Sequence, residues 1–268
     1  MPRDSFTISN IKLSVASAGK GRTFLFQHGL CGSASHLHEV FPEDIGWSCL
    51  TLECRGHGMS EIGPYSELSI KQFTEDLATF ITELDIGPVL VGGISMGAAI
   101  SMRLAVKRPE LVSGLVVARP AWIDRAEPVN LAPNREVARY LATYQPVEAR
   151  QQFERSAMAA ELASSAPGNL ATLLGVFDRD PAVETQALQA AIASDGPGIN
   201  KEEIAGIDCP TLVIGTARDA THPIAMALEI ADLIPRASFV QIASKADGVE
   251  QYRAEFQDAL RQFTMEIA

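Results

Sequence analysis

A short glycine–serine motif between an apolar run and a helical stretch is the feature that most constrains the fold. Residues Gly93–Gly97 (GISMG) directly follow the apolar run Pro88–Val91 and directly precede the helical pattern of residues 98–106. This order predicts a strand, a sharp turn with Ser95 at its tip, and a helix. The turn strains its central residue, and the flanking glycines leave room for neighbouring backbone. The motif therefore predicts a serine hydroxyl above a sheet, beside a helix N-terminus that stabilises negative charge.

Composition limits the classes of protein to which the chain can belong. Its 268 residues are enough for one large domain, or one domain with an inserted subdomain, and 47% are hydrophobic. The net charge of −11 argues against a nucleic-acid partner, because nucleic-acid binding needs a basic face. No apolar run reaches the roughly 18 to 20 residues of a membrane span. The four cysteines have no metal-type spacing. We therefore expect a cytoplasmic protein without a membrane or nucleic-acid partner.

Short apolar runs alternate with helical patterns along the chain, which predicts an α/β fold with a mainly parallel sheet flanked by helices. Ser69 is the predicted N-cap of one such helix, which ends before Gly87 and Pro88. The predicted strands of the sheet are Thr23–Phe26, Trp47–Leu52, Pro88–Val91, Gly114–Ala118, Cys209–Gly215 and Ala237–Ile242.

The segment of residues 121–204 differs in character from the rest of the chain. It is rich in Ala, Gln, Glu and Arg, contains several prolines, and lacks strand-like runs. We interpret it as a helical cap inserted into a core made of residues 1–120 and 205–268. Open α/β sheets have their sites at the carboxyl ends of the strands, so a cap there would cover the site.

Four segments, in this order, resemble the α/β-hydrolase superfamily. His28-Gly29-Leu30 follows the first buried strand, where the family has its oxyanion loop, and residues 55–60 (RGHGMS) follow the next strand. The serine turn is the third segment, and residues 215–219 (GTARD) are the fourth, ending where the family has its triad acid. The likeness is to a cap-bearing branch with esterases, enol-lactonases, carbon–carbon bond hydrolases and cofactor-free haloperoxidases.

The resemblance implies a role for each matching residue. Ser95 would be the nucleophile, which needs a base to take its proton. The backbone N–H groups of Leu30 and Met96 would form the oxyanion hole, and Asp219 would orient the base. No metal and no organic cofactor is implied.

The family's catalytic histidine is missing from its usual position. That residue follows the last strand, where residues 243–250 (ASKADGVE) place Asp247 instead. Aspartate is a weak base toward a serine hydroxyl, and Asp219 would repel a second carboxylate. The five histidines are His28, His36, His38, His57 and His222.

Three alternatives follow from this departure. In the first, His222 supplies the imidazole from the loop after Asp219, although Thr221-His222-Pro223 also fits an ordinary helix start. In the second, Asp247 acts as the base with a raised pKa, sharing a proton as carboxylate dyads do. In the third, the chain has lost serine hydrolysis.

Other residues are candidates for contact with a substrate. Arg119 ends the strand before the cap, where it can bind a substrate carboxylate or pair with a cap carboxylate. Trp122 belongs to the apolar underside of the cap. His28 precedes the oxyanion glycine, where the family residue usually supports the loop. Asp124 lies close to the position where some family members have their acid, and a surface role for it is the alternative.

These features predict an enzyme that acts through Ser95 on a small, carboxylate-bearing ester, lactone or activated carbonyl compound. The alternative is a catalytically degenerate or non-hydrolytic protein of the same fold, either a lyase or isomerase or a ligand-binding protein. In either case the predicted partner is a small molecule, and the predicted state is a monomer or homodimer.

Overall fold

The computed structural model describes residues 3–38, 40–42 and 44–267. In these ranges one sheet contains eight strands, in the spatial order β1-β2-β4-β3-β5-β6-β7-β8. Both β1 and β2 run antiparallel to their neighbours, and the other strands are parallel, which confirms the predicted mainly parallel sheet. The strands are β1 (Arg3–Ile8), β2 (Ile11–Gly19), β3 (Arg22–Gln27), β4 (Trp47–Leu52), β5 (Val89–Ile94), β6 (Val112–Ala118), β7 (Thr211–Thr216) and β8 (Ala237–Ile242).

Helices flank the sheet and fill the connections between its strands. The helices of the described ranges are α1 (Ala34–His38), α2 (Ile70–Glu83), α3 (Met96–Lys107), α4 (Ala132–Thr143), α5 (Pro146–Glu154), α6 (Ala157–Ser165), α7 (Pro167–Val176), α8 (Ala182–Ser194), α9 (Lys201–Ala205), α10 (Ile224–Leu233) and α11 (Val249–Glu266). The Ser69 side chain accepts a hydrogen bond from Gln72 N at 3.0 Å, which confirms it as the N-cap of α2. In the described ranges, none of these helices has the length and apolarity needed to cross a lipid bilayer.

Strand β3 is covered on both faces, as a central parallel strand should be. Phe24, Leu25 and Phe26 have no exposed surface. Leu25 belongs to the apolar cluster that includes Phe73 of α2. Phe24 and Phe26 belong to the cluster on the other face, where the Phe26 ring lies 6.2 Å from that of Phe256 in α11. Because both faces of β3 are buried, the carboxyl end of this strand, beside the candidate site, is held in a fixed position.

Helices α4 to α9 lie between β6 and β7, in the segment that the sequence predicts as the insertion. Side chains of α4 to α7 form an apolar cluster of their own, which includes Phe153 and the adjacent Phe177. Leu188 of α8 and Ile204 of α9 instead belong to the apolar cluster that includes Leu25 of β3.

Asp195 ties the end of this segment to the core, because its carboxylate accepts a hydrogen bond from Ile70 N at 2.7 Å. The indole of Trp122 donates to the carbonyl oxygen of Asp195 at 2.9 Å. The inserted helices are therefore anchored to the sheet domain at their far end.

Candidate active site

The serine turn between β5 and α3 has a strained geometry. Ser95 has φ 59° and ψ −112°, a conformation that residues with a side chain rarely adopt. A Cβ at Gly93 would lie 2.4 Å from the carbonyl carbon of Gly97, and a Cβ at Gly97 would lie 2.2 Å from the carbonyl oxygen of Gln27. Glycine at both positions therefore allows α3 to start immediately beside β3. The Ser95 hydroxyl lies at the tip of this turn.

The ring of His222 lies next to this hydroxyl. His222 Nε2 is 2.9 Å from Ser95 Oγ, and His222 Nδ1 is 2.9 Å from Asp219 Oδ2. The backbone N–H of His222 also donates to Asp219 Oδ1 at 3.1 Å. Both residues belong to the connection between β7 and α10. The three side chains thus form a continuous serine–histidine–aspartate chain of hydrogen bonds, with the histidine and the aspartate in one loop.

The Asp219 carboxylate is surrounded by donors. Arg119 Nη2 lies 2.6 Å from Oδ2, and Asn169 Nδ2 donates to Oδ1 at 2.8 Å. Burial opposes ionisation of Asp219, but the neighbouring His222 and Arg119 outweigh it and hold the pKa of this carboxyl well below its ordinary value. Asp219 is therefore a permanent negative charge beside the imidazole.

Two opposing effects act on His222, whose side chain is 10% exposed. Burial lowers the pKa of the ring, the negative charge of Asp219 opposes that shift, and the positive charge of Arg119 adds to it. The net result is a pKa below the ordinary value of 6.5. The imidazole is consequently neutral at pH 7, which is the state that can accept a proton.

Two predicted backbone donors belong to residues near the serine. Leu30 lines the same cavity as Ser95, and Met96 is the first residue of α3. Within the described part of the chain, their N–H groups have no hydrogen-bond partner. The first N–H groups of a helix have no partner inside it, so that of Met96 is available to an anion. Neither of the two predicted oxyanion donors is thus bound to another described residue.

Asp247 has other partners than the serine. Its carboxylate accepts hydrogen bonds from Ser244 N at 3.0 Å and Ser244 Oγ at 2.7 Å, and it forms an ion pair with Arg218. The Ser244 contacts close the turn between β8 and α11, and the Arg218 ion pair joins this turn to the connection between β7 and α10. The position next to the Ser95 hydroxyl is occupied by His222 instead.

The predicted substrate-binding residues lie in three different settings. The guanidinium of Arg119 lines the cavity, but it is bound to Asp219 rather than to a cap carboxylate or to open space. Trp122 also lines the cavity, although only 1% of its surface is exposed. His28 is completely buried, and its Nε2 accepts a hydrogen bond from Cys54 N at 3.0 Å. His28 therefore joins the end of β3 to the residues after β4 and has no surface for a substrate.

Sequence reasoning missed two polar residues near the site. Asn169 of α7 donates to Asp219 and to Thr221 Oγ1, and its Oδ1 accepts from Ala220 N at 3.0 Å. Arg179, between α7 and α8, lines the cavity. Both lie in the inserted segment. There the helical pattern of the sequence does not predict which residue a polar side chain contacts. The amino-acid composition of this segment gives no reason to select either Asn169 or Arg179 as a site residue.

The cavity above Ser95 has a volume of about 410 Å³ and is lined by both the sheet domain and the inserted helices. Its walls are largely apolar, and Leu37, Leu131, Leu173 and Val176 contribute to them. This volume suits a small organic molecule. Over the ranges that the structure describes, no group of three or more His, Cys, Asp or Glu residues could hold a metal ion.

Comparison with known proteins agrees with this architecture. The sequence profile of the family described as "alpha/beta hydrolase fold" matches residues 22–247. The chain belongs to this family. It is 29% identical over 242 residues to the "Putative non-heme bromoperoxidase BpoC" of Mycobacterium tuberculosis, an alignment that covers 87% of this chain and 88% of the relative.

Two further proteins to which this chain is similar have other named activities. The "sn-1-specific diacylglycerol lipase ABHD11" of Mus musculus is 30% identical over 135 residues, which is 49% of this chain and 41% of that protein. The crystal structure of the enol-lactonase from Burkholderia xenovorans LB400 has a TM-score of 0.73 at 22% identity, and the match covers 98% of this chain and 99% of that one. The second likeness concerns the fold alone.

Proposed function

We propose that this α/β-hydrolase-fold protein is a serine hydrolase for a small ester or lactone, with His222 as the general base. The distance of 2.9 Å between Ser95 Oγ and His222 Nε2 is the observation that carries the proposal. It supports His222 as the base, although the loop after β8, where the family has its histidine, contains none. A nucleophile and base at hydrogen-bond distance, with the base oriented by a third group, are typical of nucleophilic catalysis.

The proposed reaction has two steps. His222 Nε2 takes the proton of Ser95 Oγ while the oxygen attacks the carbonyl carbon, and the imidazolium then gives this proton to the leaving alkoxide. An acyl-serine remains, which a water molecule hydrolyses with His222 again acting as base. The N–H groups of Leu30 and Met96 stabilise the oxyanion, and each such donor contributes about 3 to 4 kcal/mol to the transition state.

Asp219 and its partners hold the base in place. The carboxylate accepts from His222 Nδ1, which leaves Nε2 free to receive the serine proton, and its negative charge stabilises the imidazolium. Arg119 and Asn169 bind the two carboxylate oxygens and fix their orientation. We therefore propose that Arg119 is a positioning residue rather than the substrate-binding residue expected from the sequence.

A fluorophosphonate probe tests the proposal directly. Such probes phosphonylate an activated serine, so we expect one adduct on the folded wild-type protein, mapped by mass spectrometry to Ser95. Ser95→Ala should abolish the adduct. A folded wild-type protein that forms no adduct would contradict the proposal and favour the ligand-binding or non-hydrolytic alternative.

The proposed mechanism also predicts activity at mildly acidic pH. Hydrolysis needs the neutral imidazole, so the rate falls as pH drops through the pKa of His222, which lies below its ordinary value of 6.5. We expect the acid limb of kcat/KM for an uncharged p-nitrophenyl ester to have its midpoint below pH 6.5. A midpoint at or above this value would show that burial and Arg119 do not depress the basicity of the ring as the geometry requires.

A further inference from the structure

One cationic side chain of the segment between β6 and β7 lines the cavity, and no described residue supplies it with a counter-ion. Arg179 Nε is buried and has no hydrogen-bond partner. Among the residues that the structure describes, no carboxylate forms an ion pair with its guanidinium. A buried donor without a partner costs free energy, and a charged one costs more than a neutral one. Arg179 is partly exposed, and its buried Nε is a donor for which no described residue supplies an acceptor.

The other cations of the cavity wall already have partners. Arg119 is bound to Asp219, and the Lys245 ammonium lies 5.3 Å from the centre of the Tyr252 ring. No aspartate or glutamate of the described ranges lines this cavity, although the net charge of the whole chain is −11. A cation-lined cavity in an acidic protein concentrates anions rather than cations.

Arg179 acts on the side of the cavity formed by the oxyanion loop. Cys31 directly follows Leu30, and burial raises the pKa of its thiol while the positive charge of Arg179 opposes that shift. The Cys31 Sγ also contacts Gln189 Nε2 at 3.3 Å, and Gln189 Oε1 accepts from Asn134 Nδ2 at 3.1 Å. Among the described cavity-lining side chains, Asn134 Oδ1 is the other buried polar atom without a partner.

We infer that Arg179 binds a carboxylate of the substrate, so that the substrate class is a small ester or lactone bearing a free acid group. A guanidinium offers two parallel N–H donors to a carboxylate, which fixes both position and orientation. Asn134 Oδ1 would accept a hydrogen bond from a hydroxyl or N–H of the same molecule. The inference rests on the proposed function, and it gives Arg179 the role that the sequence predicts for Arg119.

The test compares two esters of similar length that differ in charge. Mono-p-nitrophenyl glutarate carries a free carboxylate, and p-nitrophenyl pentanoate does not. We expect wild-type kcat/KM to be higher for the glutarate ester, and Arg179→Gln to lower that value by about 10- to 100-fold, since charge-assisted hydrogen bonds are worth that much. The same substitution should change kcat/KM for the pentanoate by less than about threefold, because the neutral ester lacks the paired group. Arg155→Gln, at an exposed arginine of the same inserted segment, is the matched control.

A binding measurement separates this inference from the proposed function. Calorimetric titration of Ser95→Ala with monomethyl glutarate should show binding that is lost in Ser95→Ala/Arg179→Gln and kept in Ser95→Ala/Arg155→Gln. If neither ester is hydrolysed but this binding depends on Arg179, the hydrolase proposal fails and the anion site stands. If both esters are hydrolysed equally well and Arg179→Gln changes neither rate, the inference is overturned and the hydrolase proposal stands.

Discussion

His222→Ala is expected to lower kcat for p-nitrophenyl pentanoate by about 10⁴- to 10⁶-fold, the loss typical of removing the base from a serine–histidine–aspartate unit. The Ser95 hydroxyl has its hydrogen bond to His222 Nε2 at 2.9 Å, and alanine leaves no group there to take its proton. KM should change little, because the ring acts on the reacting oxygen rather than on the body of the substrate. Steady-state kinetics of the purified variant measures both parameters.

Asp247→Asn is the matched control for this experiment. Asp247 occupies the position of the usual family histidine, but its carboxylate binds Ser244 and Arg218. We expect Asp247→Asn to keep kcat within about threefold of wild type, as is usual for a substitution outside the chain of proton transfer. If Asp247→Asn abolishes turnover and His222→Ala does not, Asp247 is the base after all.

The sequence was sufficient to predict the fold because the fold depends on local patterns. The apolar runs of the parallel strands and the glycines around Ser95 are each constrained by their immediate neighbours. Gly97 illustrates this, because a Cβ there would lie 2.2 Å from the carbonyl oxygen of Gln27. A close approach of this kind requires glycine, and a glycine at a fixed position in a motif can be recognised from the sequence alone.

The choice of base could not be made from the sequence because it depends on the direction of one ring. Thr221-His222-Pro223 fits an ordinary helix start equally well, and α10 indeed begins at Ile224, after Pro223 as N-cap. The ring direction is set by Asp219, which accepts from both the backbone and the side chain of His222. These contacts join residues only three positions apart. They depend on the conformation of the loop, however, and a pattern of apolar and polar residues does not predict that conformation.

The roles of Arg119 and Arg179 could not be predicted from the sequence either, because they depend on long-range contacts. Arg119 has φ 45°, an uncommon conformation at the end of β6, and its guanidinium reaches Asp219, which is 100 residues away in sequence. We propose that this pairing keeps Arg119 from the substrate, and among the described residues no carboxylate forms an ion pair with Arg179. Ion pairing of this kind is decided by the tertiary fold, so composition alone could not distinguish the two arginines.

Asp219→Asn is expected to lower kcat by about 10³- to 10⁴-fold while leaving the fold intact, because the asparagine amide no longer stabilises the imidazolium or fixes its tautomer. The loss should be smaller than that of His222→Ala, since the ring itself stays beside Ser95. The substitution also leaves Arg119 without its counter-ion, and the Asp219 charge no longer opposes the effects that lower the pKa of His222. The residual activity should therefore keep its acid limb below pH 6.5, at or below the wild-type midpoint.

Asp124→Asn is the control that distinguishes a specific loss from a general one. Asp124 lies near the alternative acid position of the family, but no described hydrogen bond or ion pair connects it to His222, whose Nδ1 contacts Asp219 Oδ2 at 2.9 Å. Its substitution should leave kcat and the acid limb unchanged. A loss in Asp124→Asn equal to that in Asp219→Asn would mean that the two carboxylates share the task of orienting His222. If Asp219→Asn leaves kcat unchanged, Arg119 and the backbone of the β7–α10 connection hold the imidazole in place without the negative charge of Asp219. The Asp219 carboxylate would then have the geometry of a triad acid but no catalytic effect.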